Sequence, residues 1–333
     1  MLRGRRRALI GCGLGAVLLT PLSGWSPAGA LGSLSVIPAS ASGTSAVGVS
    51  ASGYGACAVL SGGRLKCWGN NSYGQLAQGD PVDRGFDDAQ MGDYLPAIAL
   101  GTGRRAKSVA TGMTHACAVL DNGWVKCWGS NDRGQLGLGD VASRGAVPDD
   151  LGNSLRRVAL GAGRRARAVA AGMAHTCAVL DNGSVKCWGD NTYGQLGLGD
   201  TFNRGDASVP GHEMGAALPA VDVGPGRRVK AVSAGHTHTC ALLDNGSVKC
   251  WGNNQSGQLG LGDTVRRGDS AAVGHQMGSA LAAVNLGRKA KAVSAGGDYT
   301  CALLDNGSVK CWGSNEFGEL GVGDAVSRGD SSA

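Results

Sequence analysis

Ten of the eleven cysteines fall into five pairs, and the members of each pair are ten residues apart: Cys57/Cys67, Cys117/Cys127, Cys177/Cys187, Cys240/Cys250 and Cys301/Cys311. Thiols in such an array either oxidise to disulfides or hold zinc. Structural zinc sites need closely spaced C-x-x-C ligands, and no pair has that spacing. An even, regular set in an exported chain reads as disulfides. The local geometry agrees. Between Cys177 and Cys187, Asp181-Asn182-Gly183 suits a three-residue hairpin loop with Gly in the left-handed position. That loop sets Val179 opposite Val185 and Cys177 opposite Cys187, at a Cβ separation of ~4.5–5.5 Å, near what a disulfide needs. A two-residue Asn-Gly turn would shift the register by one and put the two thiols on opposite faces.

The eleventh cysteine, Cys12, lies in an N-terminal segment with its own pattern. Arg3, Arg5, Arg6 and Arg7 form a basic region, an apolar run follows, and Ala28-Gly29-Ala30 supplies small residues for cleavage. This is the arrangement of a secretory signal peptide over residues 1–30, with a single domain over 31–333. Gly11, Gly13, Gly15 and Pro21 interrupt the apolar run and argue against a membrane span. The full chain carries 31 basic and 25 acidic residues, net +6. Without the four arginines of the first thirty residues the balance is 27 to 25, net +2, which gives no basis for binding nucleic acid.

The elements that position these cysteines repeat. The units end at Asp80, Asp140, Asp200, Asp263 and Asp324, so the repeat is about 60 residues long and occurs five times. With 42% hydrophobic residues the chain can form a core, and its 59 glycines follow no collagen-like period. Each unit reads as four short strands: one such as Ala290–Gly296, two flanking the cysteine hairpin, and one such as Leu218–Gly224. A looser copy of the last, Leu34–Pro38, precedes the first unit. Short strands with periodic Gly and Trp and no helical periodicity predict an all-β fold, a β-propeller of four-stranded blades. A flat β-solenoid is the alternative, with a repeat usually much shorter than this one.

The repeated W-G-x-N…G-Q-L-G-x-G-D, preceded by D-N-G-x-V, resembles the repeat of the regulator of chromosome condensation propellers. Trp68, Trp128, Trp188, Trp251 and Trp312 stand where that family has its W-G, and Gly74-Gln75-Leu76 and its equivalents match the G-Q-L. The resemblance covers essentially all of residues 31–333 and implies a propeller. The family's repeats are usually shorter and more numerous and lack obligatory paired cysteines. The ring is therefore either five-bladed or an incomplete larger one.

Other chemistry is thinly marked. His115, His175 and His238 share one repeat position, replaced by Gly55 and Tyr299, and read as packing or hydrogen-bonding residues. The Arg-Gly-Asp tripeptides at 204–206, 267–269 and 328–330 recur with the repeat and read as turns. Asp200 and its equivalents could bind calcium, but Gly-Asp is an ordinary turn. The links before each unit carry cations, Arg104, Arg105, Lys107 and their counterparts. They read as a solvated rim partly neutralised by Asp121, Asp181, Asp244 and Asp305. No G-x-S-x-G, Walker loop or consistent acid–base pair is present.

The expected function is that of an exported, non-enzymatic propeller that binds an extracellular protein or glycan through the long connections following each hairpin. Inhibition of an extracellular enzyme, as by a propeller-type inhibitor similar to this family, is one concrete form. Exposed aromatics and Arg at those connections are the candidate anchors: Tyr73, Arg133, Tyr193, Phe202 and Phe317. No cofactor or metal is expected. The family resemblance implies guanine-nucleotide exchange as an alternative, disfavoured by the export signal and paired cysteines. A propeller-based glycan-active enzyme is a second alternative.

Overall fold

The computed structural model describes residues 45–206 and 210–331. The signal-peptide segment and the Leu34–Pro38 strand candidate lie outside the described residues. The protein is all-β, a β-propeller of five blades. The first blade holds β1 (Ala46–Ser52), β2 (Gly55–Leu60) and β3 (Leu65–Gly69). The second holds β4 (Ala106–Thr111), β5 (His115–Leu120) and β6 (Val125–Gly129). The third holds β7 (Ala166–Ala171), β8 (His175–Leu180) and β9 (Val185–Gly189). The fourth holds β10 (Val229–Ala234), β11 (His238–Leu243) and β12 (Val248–Gly252). The fifth holds β13 (Ala290–Ala295), β14 (Tyr299–Leu304) and β15 (Val309–Gly313). Every blade is an antiparallel meander in chain order.

The cysteine hairpin takes the three-residue loop. Val179 pairs with Val185 and Cys177 with Cys187, Leu180 N donates to Ser184 O at 2.8 Å, and Gly183 sits at φ 82°. The same register recurs in all five blades. Across it Cys57 is bonded to Cys67, Cys117 to Cys127, Cys177 to Cys187, Cys240 to Cys250 and Cys301 to Cys311, with Cα atoms 4.0–4.1 Å apart.

The fourth segment is not a laddered strand. In the first four blades it runs beside the third strand and donates one backbone bond to it, as from Ile98 N to Leu65 O, Val158 N to Val125 O, Val221 N to Val185 O and Val284 N to Val248 O, each 2.8 Å. Its apolar residues follow a spacing of three and then two: Leu95, Ile98, Leu100; Leu155, Val158, Leu160; Leu218, Val221, Val223. A pleated strand sends side chains to one face at every second residue. This segment twists to aim all three inward, which breaks the ladder. Pro96 and Pro219 also lack the donor.

Blades stack through one repeated contact. The middle strand of each blade packs on the first strand of the next: β2 on β4, β5 on β7, β8 on β10, β11 on β13. Four apolar cores fill these four seams. The first strands also touch in the order β1, β4, β7, β10, β13, and no comparable contact returns from β13 to β1 among the described residues. The blades therefore form an arc with a leading face at the first blade and a trailing face at the fifth.

Candidate functional site

The meander sends the turns between first and second strands to one end of every blade, together with the long connections leaving the third strand. The hairpin tips and the links into each blade share the other end. This gives the arc two distinct faces.

On the first face the turns converge on a central mouth of about 130 Å³. Neighbouring turns are stitched by backbone bonds that run one way around it. Met113 N donates to Gly172 O (3.3 Å), Met173 N to His236 O (3.2 Å) and His236 N to Gly297 O (3.0 Å). These bonds require close backbone approach. A Cβ added to Gly112 would collide with Gly172 O, so only glycine fits. The side chains of Met113, Met173 and His236 line the mouth, and Met173 is exposed. His236 Nδ1 stands 4.0 Å from Asp298 Oδ2. Flexible methionines beside a weakly paired His and Asp form an adaptable, partly apolar surface suited to contact rather than to proton transfer.

The anchor candidates occupy this same end. Tyr73, Phe202 and Phe317 are exposed, Phe317 at 90%. Tyr193 is half-buried beneath the Arg266 guanidinium, 5.8 Å from its ring centroid. Arg133 is exposed beside Asp132 at 3.8 Å. Phe202 meets His212 with ring centroids 5.3 Å apart. No aromatic-ring contact joins one anchor candidate to another among the described residues. Sequence reasoning missed Tyr54, which is exposed, and the two methionines. A signal for the latter exists: Met113, Met173 and His236 hold a repeat position that is Gly53 and Gly297 in the end blades.

The cysteines stand apart from both faces and are not contact residues. Cys57 and Cys67 lie in the apolar core between the first and second blades, and Cys117 and Cys127 in the core between the second and third. Cys67 and Cys127 are completely buried there. Cys177 with Cys187, and Cys240 with Cys250, fill the next two cores in the same way. Cys301 and Cys311 have no following blade and stay half-buried. These sulfurs therefore brace the hairpins and pack the seams.

Between the faces, the polar repeat residues are also engaged internally. Thr239 Oγ1 donates to Gln195 O at 2.9 Å, so His175 Nε2, 3.0 Å away, must be the donor to Thr239 Oγ1. His115 with Thr176 and His238 with Thr300 repeat the pair at 2.9 Å. Nδ1 of each His is then a bare, buried nitrogen. Protonating it would place a charge in a fully buried site, and this desolvation lowers the pKa to about 3 for His115, about 4 for His175 and about 3 for His238. They are packing residues. The Arg-Gly-Asp tripeptides are turns within the seams. Arg204 bonds Asp200 at 2.6 Å and Phe202 O at 2.7 Å, with its side chain 5% exposed. A Cβ on Gly134 would meet Asp206 N at 2.6 Å. Asp200 also accepts from Phe202 N and Asn191, so its carboxylate serves the turn. No cluster able to hold a metal occurs among the described residues.

On the second face the cation rim is partly neutralised as its acids suggest. Arg104 pairs with Asp121 (3.4 Å), Arg164 with Asp181 (3.2 Å), Arg227 with Asp244 (3.4 Å) and Arg288 with Asp305 (2.7 Å). One residue breaks the repeat here. Trp124 stands where other blades have Arg64, Ser184, Ser247 and Ser308. Arg157 lies 4.3 Å and Arg165 5.7 Å from its ring centroid. Those stacks occupy the indole as internal cation–π contacts.

Residues 22–331 match the RCC1-like domain family. The ultraviolet-B receptor UVR8 of Arabidopsis thaliana is 34% identical over 263 residues, which cover 79% of this chain and 52% of that protein. The probable E3 ubiquitin-protein ligase HERC6 of Homo sapiens is 30% identical over 268 residues, 79% of this chain and 23% of that protein. The chain thus spans about half the length, or less, of these curated relatives. Among solved structures, Prp20p from Saccharomyces cerevisiae is similar with a TM-score of 0.62 at 20% identity, over 87% of this chain and 63% of that one. Human WBSCR16 gives 0.60 at 22%, over 86% and 66%. At these identities the structural likeness establishes the fold.

Proposed function

The chain belongs to the RCC1-like domain family, and from that premise we propose that it is an exported, disulfide-braced binding module that takes an extracellular protein partner on the face around the mouth. A signal peptide over residues 1–30 and one propeller domain over 31–333 belong to this reading. The observation that carries it is the mouth itself. Turns stitched by backbone bonds set Met113, Met173 and His236 around it, with Tyr54, Tyr73, Phe202 and Phe317 exposed at the same end. Aromatics and methionine are enriched at protein interfaces, and adaptable loops on a rigid scaffold are where binding residues concentrate.

Five bonded cysteine pairs favour an oxidising compartment over the intracellular setting of nucleotide exchange. No helix among the described residues is long and apolar enough to cross a membrane. The module is read as non-catalytic because its repeated His and Asp groups are committed to seams and turns. A glycan on the same face is the alternative ligand, and inhibition of an extracellular enzyme is a narrower form of the protein reading.

Two measurements test it. Intact mass of the exported protein, with and without thiol alkylation, should show a start at Leu31 and no free thiols. A photo-crosslinking side chain placed at Met173 should yield a discrete adduct in the native extracellular milieu, and one at Arg165 on the opposite face should not. Eleven reactive thiols in an uncleaved chain would overturn export, and adducts confined to Arg165 would overturn the choice of face.

A further inference from the structure

Each of the four internal seams uses the same two half-surfaces. The blade in front offers the carbonyl of the Gln in its Gly-Gln-Leu turn. The blade behind inserts its Trp, whose Nε1 donates to that carbonyl: Trp128 to Gln75, Trp188 to Gln135, Trp251 to Gln195 and Trp312 to Gln258, at 2.9–3.0 Å. A second bond closes the rim, from Gly79 N to Gly145 O, Gly139 N to Gly205 O, Gly199 N to Gly268 O and Gly262 N to Gly329 O.

The leading face of the first blade and the trailing face of the fifth are the two halves of this seam, unmated among the described residues. Val49 is 65% exposed, against 4% for its counterpart Val109. Leu303 is 38% exposed, against 1–4% for Val59, Val119, Val179 and Leu242. Trp68 is half-buried where Trp128, Trp188 and Trp251 are fully buried. Val322 is 48% exposed, against 8% for Leu138.

The sequence of these faces is matched as internal seams are matched. A Thr follows wherever the blade in front carries His: His115 with Thr176, His175 with Thr239, His238 with Thr300. Where the first blade has Gly55 instead, the second has Ala116. The fifth blade has Tyr299 in the His position, and the first blade has Ala56 in the Thr position. The fifth blade thus offers a larger ring where the first offers a smaller side chain, so the two departures from the His–Thr pair occur together. The fifth and first blades thus follow the pairing rule of adjoining blades, yet among the described residues β13 and β1 make no contact comparable to those between adjoining first strands.

We propose that the trailing face of the fifth blade docks on the leading face of the first blade of a second copy of this chain, rebuilding the internal seam between molecules. The contact is heterologous, so association proceeds end to end and grows with concentration.

Sedimentation velocity of the full chain across a concentration series tests this, with Leu303→Asp and Val49→Asp as probes. Each substitution sets a carboxylate into one half of the apolar seam and should weaken association by more than about tenfold. Because both positions are solvent-exposed in the single arc, each variant should keep the wild-type melting temperature when dilute. Mixing the two variants should restore one contact, giving a one-to-one dimer that does not extend, since each supplies the half the other has lost. Val322→Asp and Ala46→Asp, the latter exposed where its counterpart Ala106 is 5% exposed, probe the same faces should either first variant fail to fold. A wild-type chain monomeric at every concentration would overturn the proposal, as would variants that associate normally. A mixture no more associated than its components would overturn the end-to-end arrangement.

Discussion

The indole N–H of Trp251 donates to the main-chain carbonyl of Gln195, 3.0 Å away and one blade forward. Thr239 Oγ1 donates to the same carbonyl at 2.9 Å and receives His175 Nε2. One carbonyl therefore gathers the Trp of one blade, and through its Thr the His of another, into a single buried cluster. Buried polar groups fully paired in this way rigidify a seam, and leaving one unpaired is costly.

Replacing Trp251 by Phe keeps an aromatic ring in the seam and removes one donor. Gln195 O retains Thr239, so the loss should be moderate, about 1–2 kcal/mol including the smaller ring. Trp68→Phe in the first blade has no preceding Gln carbonyl to lose among the described residues and should cost less. Denaturant unfolding of the two variants under dilute conditions checks the ordering; equal losses would separate stability from this bond.

The three buried histidines give a pH dependence with a definite sign. Their folded pKa values, about 3, about 4 and about 3, lie below the unfolded value of 6.5. The folded state therefore binds fewer protons, and stability is full above 6.5 and falls as pH drops toward the folded values. Between pH 7 and pH 5 the wild type should lose up to about 2 kcal/mol per histidine. His175→Gln should shrink this slope by about one third, read from denaturant midpoints at each pH.

Much of this architecture is legible in residue order because its determinants are local. The Asp-Asn-Gly loop and the ten-residue cysteine spacing together dictate the hairpin register, and the Trp and Gln positions recur with every seam. The fourth segment misleads because Leu218, Val221 and Val223 look like a strand, while their three-then-two spacing belongs to a twisted edge. The mouth is hidden for a different reason. Met113 and Met173 come together only when separate blades stack, which no local window contains. Trp124 is visible as a break in the repeat, but its stacking on Arg157 and Arg165 needs three-dimensional neighbours.

Disulfide loss should be measurable blade by blade. Replacing both Cys177 and Cys187 with Ala should lower stability by roughly 2–3 kcal/mol if the closed loop acts through chain entropy. Exposure sets the order of reduction. Cys117, Cys127, Cys177, Cys187, Cys240 and Cys250 are fully buried, whereas Cys301 and Cys311 are half-buried. Mild reductant with pulsed alkylation and peptide mapping should label the Cys301/Cys311 pair first, and uniform labelling would contradict the exposure argument.

Gly137 and Gly321 hold the same repeat position with nearly the same backbone, φ 65° and 66°, but different neighbours. A Cβ at Gly137 would lie 2.8 Å from Trp188 Nε1, while a Cβ at Gly321 meets nothing within 4 Å. Gly321→Ala should therefore cost only the left-handed backbone penalty, about 1–2 kcal/mol. Gly137→Ala adds a small shift of the neighbouring indole, as the first seam already accommodates beside Ala77 at φ 50° with the Trp128 bond to Gln75 kept at 2.9 Å, raising the loss to about 2–3 kcal/mol. Thermal unfolding of both variants at low concentration gives the comparison. Equal stability losses at the two positions would mean that the seam yields around the added methyl.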